Sequence, residues 1–204
     1  MICPACGEWT ETPQVDGDIL VCALCGHREP FRRLPVLVLT GPSGTGKSTV
    51  CRRLTAHLGD RAVVLEQDIL WIGAIQDPVD DFGPFRRAWL RMIAAIHQSG
   101  RPVVLCGTVA PPQLENRPER VLFSDIHYLA LVADDEVLAS RLRARPAWRG
   151  WQNEGRISDM LGFNTWVKTN AALTSPPMEL LDTTDVAVEE TTAAVVKWIE
   201  SRLS

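Results

Sequence analysis

Apolar residues fall into short β-branched and leucine runs, separated by longer stretches with a three- to four-residue repeat. Residues 36–39, 62–66, Val103–Cys106, Ile126–Val132 and 178–181 have strand length and read as buried strands. Between and after them the spacing predicts helices over Lys47–Leu58, 84–98, 157–171 and 186–203. Pro84 suits a first helical turn. Asp134 caps a further helix to about residue 144, whose Asp135 and Glu136 suit the positive end of the helix dipole. In the closing helix Val195, Val196, Ile199 and Leu203 share one face. Alternation of this kind implies a parallel sheet covered on both faces, so the expected fold class is α/β.

Residues 1–32 break this pattern and form a separate unit, with a core domain over 33–204. They carry little helical periodicity, and a fragment of that size buries too little apolar surface to fold unaided. Two pairs, Cys3-x-x-Cys6 and Cys22-x-x-Cys25, each followed by glycine, have the spacing of a four-thiolate zinc ribbon. All four ligands are thiolates, which predicts a closed, structural Zn²⁺ site. Cys51 reads as a core residue. The ribbon's charges are acidic or mixed, and the 204-residue chain has a net charge of −4, which disfavours a general nucleic-acid grip. The apolar runs are far shorter than a membrane span, which needs about 20 residues. The opening Met-Ile-Cys-Pro-Ala-Cys lacks a basic segment followed by an apolar one, so the expected location is cytoplasmic.

The strongest chemical signal follows the first core strand: Gly41-Pro42-Ser43-Gly44-Thr45-Gly46-Lys47-Ser48, then Thr49. This is the phosphate-loop pattern in its required setting of strand, turn and helix. Glycines at 41, 44 and 46 let backbone N–H groups converge on phosphate oxygens, and the helix after them points its positive end at the same anion. Lys47 reaches the β- and γ-phosphates, and the Ser48 hydroxyl ligates Mg²⁺. ATP or GTP is the expected ligand.

Beyond the second strand, Glu66 and Asp68 should lie near the γ-phosphate, because strand C-termini face the ligand crevice of a parallel sheet. A carboxylate there accepts a proton from an acceptor hydroxyl or positions Mg²⁺. Period-2 spacing puts both on one side if the strand extends that far, and Asp68 is the better placed as base. The third strand ends in Cys106, where many phosphate-loop enzymes carry an aspartate, so metal positioning falls to Ser48, Glu66 and Asp68. Cys106 reads as a small buried residue. Arg141, Arg145 and Arg149 belong to a basic stretch in which Pro146 ends a helix and a mobile segment follows, forming a lid around 146–157. Guanidinium groups on a closing loop would stabilise a transferring phosphoryl group and exclude water.

Over roughly residues 36–204 these features resemble the small phosphate-loop kinases: nucleoside and nucleotide kinases and their shikimate and gluconate relatives. The likeness rests on Gly41–Thr49, Glu66-x-Asp68, the arginines from 141 to 156, and Leu181-Asp182-Thr183-Thr184-Asp185, similar to the family's adenine-flanking region. It implies a five-stranded parallel sheet, Mg·ATP as donor, a small hydroxyl or phosphate compound as acceptor, Asp68 as the acceptor-side carboxylate and Arg141, Arg145 and Arg149 as lid residues. Cys106 departs from the pattern. An acceptor pocket is expected after the second strand, where Trp71, Asp80, Asp81, Phe82, Phe85, Arg86 and Arg87 cluster. Two other readings stay open: a nucleotide-dependent ATPase whose ribbon binds RNA or protein, and a kinase of polynucleotide ends.

Overall fold

The computed structural model describes residues 2–71, 78, 80–147, 151 and 153–203. Strands β1 (Gln14–Asp16), β2 (Ile19–Val21) and β3 (Arg28–Pro30) make a small antiparallel sheet. Next come β4 (Val36–Thr40), α1 (Lys47–Leu58), β5 (Val63–Glu66), α2 (Gly83–His97) and β6 (Val103–Cys106). A short α3 (Pro112–Glu115), β7 (Ile126–Val132), α4 (Asp135–Arg143), α5 (Glu154–Asn170), β8 (Met178–Asp182) and α6 (Val188–Leu203) complete the chain. The main sheet is parallel with order β5-β6-β4-β7-β8. The expected α/β class and five-stranded sheet are both present.

Strand alternation divides the core in two. Val36, Val38, Val103, Leu105, Tyr128 and Ala130 pack with α2 and α5 on one face. Leu37, Leu39, Val104, Cys106, Leu129 and Leu131 pack with α1 and α6 on the other. β4 is buried along its whole length, which explains the unbroken apolar run at residues 36–39. Asp134 caps α4, its carboxylate accepting from the N–H groups of Glu136 and Val137. α5 starts three residues earlier than expected because the Asn153 side chain caps it and Glu154 pairs with Arg143 at 2.7 Å. Residues 154–157 of the expected lid are therefore helical. No helix among the described residues is long and apolar enough to cross a membrane.

The amino-terminal sheet is seated on the core. Phe31 is buried in it, and Val15 and Leu20 pack against the same cluster. The guanidinium of Arg91 lies 4.6 Å from the Trp9 ring centre and donates to the carbonyls of Thr10 and Glu11, with Arg87 also donating to Glu11. Both arginines donate through Nε to one oxygen of Glu119, which is fully buried. α2 thus has one flank tied to the ribbon, while Phe85 and Arg86 line the cleft described below.

Candidate active site

The turn from β4 to α1 holds its shape through backbone geometry that only glycine tolerates. Gly41 has φ 125°, and a side chain there would run into the Leu131 carbonyl of β7; Gly44, at φ 100°, abuts Leu138 of α4. α1 opens on Gly46 with no side-chain cap and no carboxylate in its first turn, leaving its positive end to the loop. Lys47 Nζ donates to the carbonyls of Gly41 and Pro42 at 2.7 and 2.8 Å. Burial pushes this ammonium from its ordinary 10.5 down to about 8; Arg145 adds to the effect and Asp68 opposes it.

A pocket of about 100 Å³ gathers Lys47, Ser48, Glu66, Asp68, Thr108 and Arg145, with Ser43, Gly44, Gly46 and Thr49 in its lining. β5 ends at Glu66, so strand alternation does not carry Asp68; a 3₁₀ turn over Gln67–Leu70 brings it to the same pocket. Pro42 and Thr45 serve the loop itself, the Thr45 hydroxyl donating to the Pro42 carbonyl. Ser48, Glu66 and Asp68 are a hard oxygen set of the kind that holds Mg²⁺. Cys106 is buried at the floor. Its hydrogen bond with the Cys51 thiol, together with burial, holds its own thiol well above the ordinary value, which argues against a nucleophile.

Of the described lid arginines, Arg145 alone lines the phosphate pocket. Arg141 lies elsewhere, because its guanidinium donates to the carbonyls of Thr183 and Thr184 at 2.8 and 2.9 Å. With Arg145, Thr45, Thr183, Val186 and Val188 it bounds a cavity of about 260 Å³ behind the phosphate loop, where the 181–185 segment meets α1. Arg149 lies outside the described residues. Sequence reasoning missed Trp151, which is buried with the guanidinium carbons of Arg145 and Arg156 at 5.4 and 4.7 Å from its ring. An aromatic flanked by arginines was the available signal.

Past Asp68 the site widens into a cleft of about 820 Å³ between the α2 entry and α5. Trp71, Asp81, Phe82, Phe85 and Arg86 reach it, as expected; Arg87 and Asp80 do not line it. Arg87 turns to Glu119, and Asp80 pairs with Arg117 at 3.6 Å. Gln67, Thr108, Gln113, Asp159, Met160 and Phe163 were not foreseen. Thr108 sits just past a parallel strand end, where the crevice rule would have found it; the others depend on packing between distant segments.

At the amino-terminal end, Cys3, Cys6, Cys22 and Cys25 bring their sulfurs within 4.8 Å of one another, with pairs at 3.7 and 3.9 Å. A tetrahedron with Zn–S bonds of about 2.3 Å has S···S edges of about 3.8 Å. The four thiols therefore fit a tetrahedral soft-metal site.

Solved structures share the core fold. A gluconokinase from Sinorhizobium meliloti 1021 superposes with TM-score 0.58 at 20% identity, over 83% of this chain and 97% of its own. Shikimate kinase from Acinetobacter baumannii gives 0.53 at 21%, over 82% and 94%, and the tunicamycin resistance protein of Deinococcus radiodurans 0.54 at 18%, over 82% and 96%. A curated bifunctional pantoate ligase/cytidylate kinase from Synechococcus sp. (strain RCC307) is 44% identical over 57 residues. That stretch is 24% of this chain and only 11% of the relative's length. The AAA domain model matches residues 37–158, from the first core strand to the start of α5. With the phosphate loop, four of the five parallel strands and more than half of the chain inside that match, the protein belongs to the AAA domain family.

Proposed function

We propose that the protein is an ATP-dependent phosphotransferase that moves the γ-phosphoryl group of Mg·ATP to a small hydroxyl acceptor. One observation carries this reading: Asp68 lines both the phosphate pocket and the adjoining cleft, so one carboxylate borders donor and acceptor alike. The fold likeness to a gluconokinase and a shikimate kinase and the short match to a bifunctional pantoate ligase/cytidylate kinase agree with it. Mg²⁺, when bound, would neutralise phosphate charge and be held by Ser48 with Glu66 and Asp68. Lys47 draws charge from the β- and γ-oxygens. Asp68 orients the acceptor hydroxyl and takes its proton as the new O–P bond forms and the bond to the β-phosphate oxygen breaks, releasing ADP. Arg145 faces the transferring group, and the cavity by Arg141 and Thr183 receives the base.

Asp68→Asn tests the assignment. Acceptor-dependent ADP formation should fall ~10²-fold or more while nucleotide affinity changes less than about threefold. An ATPase switch would instead hydrolyse ATP on meeting a partner, indifferent to this change. In the ribbon, residues 3, 6, 22 and 25 hold one structural Zn²⁺, and elemental analysis should return one zinc per chain.

A further inference from the structure

The cleft beyond Asp68 also says what kind of acceptor it suits, an inference that rests on the phosphotransfer reading above. Its walls are aromatic. Trp71 packs on Phe82 and Phe85 with ring centres 5.2 and 5.1 Å apart, and remains about half exposed toward the cleft, while Phe163 and Met160 of α5 line it as well. A slot of this kind takes a flat ring, since stacking rewards any π-face.

The charges of its described lining disfavour an anion. The described lining holds three carboxylates, Asp68, Asp81 and Asp159, and three guanidiniums, Arg86, Arg145 and Arg156. Each guanidinium already has a place: Arg145 belongs to the phosphate pocket, and Arg156, within the cleft, lies over the Trp151 ring at 4.7 Å. Arg86, beside the aromatic wall, is engaged as well. Its side chain is 5% exposed, donates through Nε to the Asp81 carbonyl at 2.9 Å and lies 3.5 Å from the Asp81 carboxylate. Gln113 donates its amide to both oxygens of that carboxylate at 3.1 Å. Asp81 and Phe82 hold left-handed backbone, φ 45° and 58°, so this arrangement is kept at some conformational cost. An acceptor phosphate or carboxylate seated at Arg86 would have to split the Arg86–Asp81 pair, and one seated at Arg156 would have to compete with the Trp151 face, with two further carboxylates in the same lining.

We propose that the acceptor is an uncharged molecule with a flat unsaturated ring and an aliphatic hydroxyl, the chemistry of a free nucleoside, and that phosphorylated or carboxylated acceptors are rejected. The ring lies on Trp71, and the hydroxyl reaches Asp68.

The full-length protein is given Mg·ATP and three acceptor sets: free nucleosides, their 5′-monophosphates, and sugar acids. ADP release measures transfer, and calorimetry measures binding. At least one nucleoside should exceed its monophosphate and every sugar acid by tenfold or more in kcat/KM. Trp71→Ala should weaken nucleoside binding roughly tenfold without altering ATP affinity. Asp81→Asn, which keeps a residue tolerant of left-handed backbone, should shift preference several-fold toward the monophosphates. Preference for an anionic acceptor in the unaltered protein, or indifference to Trp71→Ala, overturns the proposal. Transfer to a ringless acceptor overturns it too, while leaving phosphotransfer standing. Nucleosides that bind through Trp71 yet receive no phosphate support the ring slot and overturn the phosphotransfer reading instead.

Discussion

The two halves of the site are built on opposite principles. The proposed donor half is centred on one contiguous stretch, residues 41–49, which offers main-chain amides, a helix N-terminus and one ammonium, with Glu66, Asp68, Thr108 and Arg145 completing the pocket. The acceptor half is assembled from side chains of four distant segments, around residues 67–71, 81–86, 108–113 and 156–163. Backbone recognition of phosphate needs only that a turn keep its shape. Recognition by converging side chains needs several helices held at fixed spacing, so its precision depends on whatever braces them. The comparison predicts that donor-side damage acts locally on chemistry, whereas acceptor-side function is vulnerable to changes far away.

Lys47→Ala is the most drastic way to break it. Transfer should drop by about three orders of magnitude or more with the fold intact, because among the described residues only Arg145 is left in the pocket to offset the phosphate charge. Near-normal turnover in that variant, with an unchanged circular dichroism spectrum, would remove Lys47 from the mechanism. Glu119→Gln sharpens the acceptor side. It replaces the buried carboxylate shared by Arg87 and Arg91 with a neutral amide, and should cost about 2 kcal/mol in urea unfolding, since both arginines are partly solvated. Acceptor KM should rise severalfold while nucleotide Kd stays within twofold; equal effects on both substrates would refute the division of labour. The gentlest test is pH. With its pKa near 8 in the free protein, Lys47 is charged below that point and increasingly neutral above it. Phosphate requires the charged form, so nucleotide affinity should be level from pH 6.5 to 7.5 and weaken above 8, by up to about tenfold per pH unit. A flat Kd between pH 7 and 9.5 would contradict this.

The same contrast explains what could be read from residue order alone. The phosphate loop was legible because its function is local: each glycine answers a backbone requirement within a few residues. The five strands were legible because both sheet faces are covered, leaving runs such as residues 36–39 wholly apolar. Glu66 and Asp68 were paired for a reason that does not hold, since the strand stops at Glu66 and a 3₁₀ turn does the placing. Arg141 shows a similar limit. Its helical spacing from Arg145 is real, yet two carbonyls of the 183–184 segment capture its guanidinium, and no periodicity forecasts a partner 42 residues away. Gln113 and Asp159 belong to the acceptor cleft only because α3 and α5 pack beside the α2 entry. The seating of the ribbon, through Arg91 and the carbonyls of residues 10 and 11, was equally invisible.

The two carbonyl bonds made by the Lys47 ammonium have a thermodynamic corollary. A long lysine stem ordinarily surrenders much rotational freedom when it grips a ligand. Here that freedom is already forfeited during folding, in a posture adjacent to where an incoming oxyanion would settle. Capture of the triphosphate then becomes an exchange of neutral oxygen partners for charged ones, needing no recruitment of a side chain from solvent.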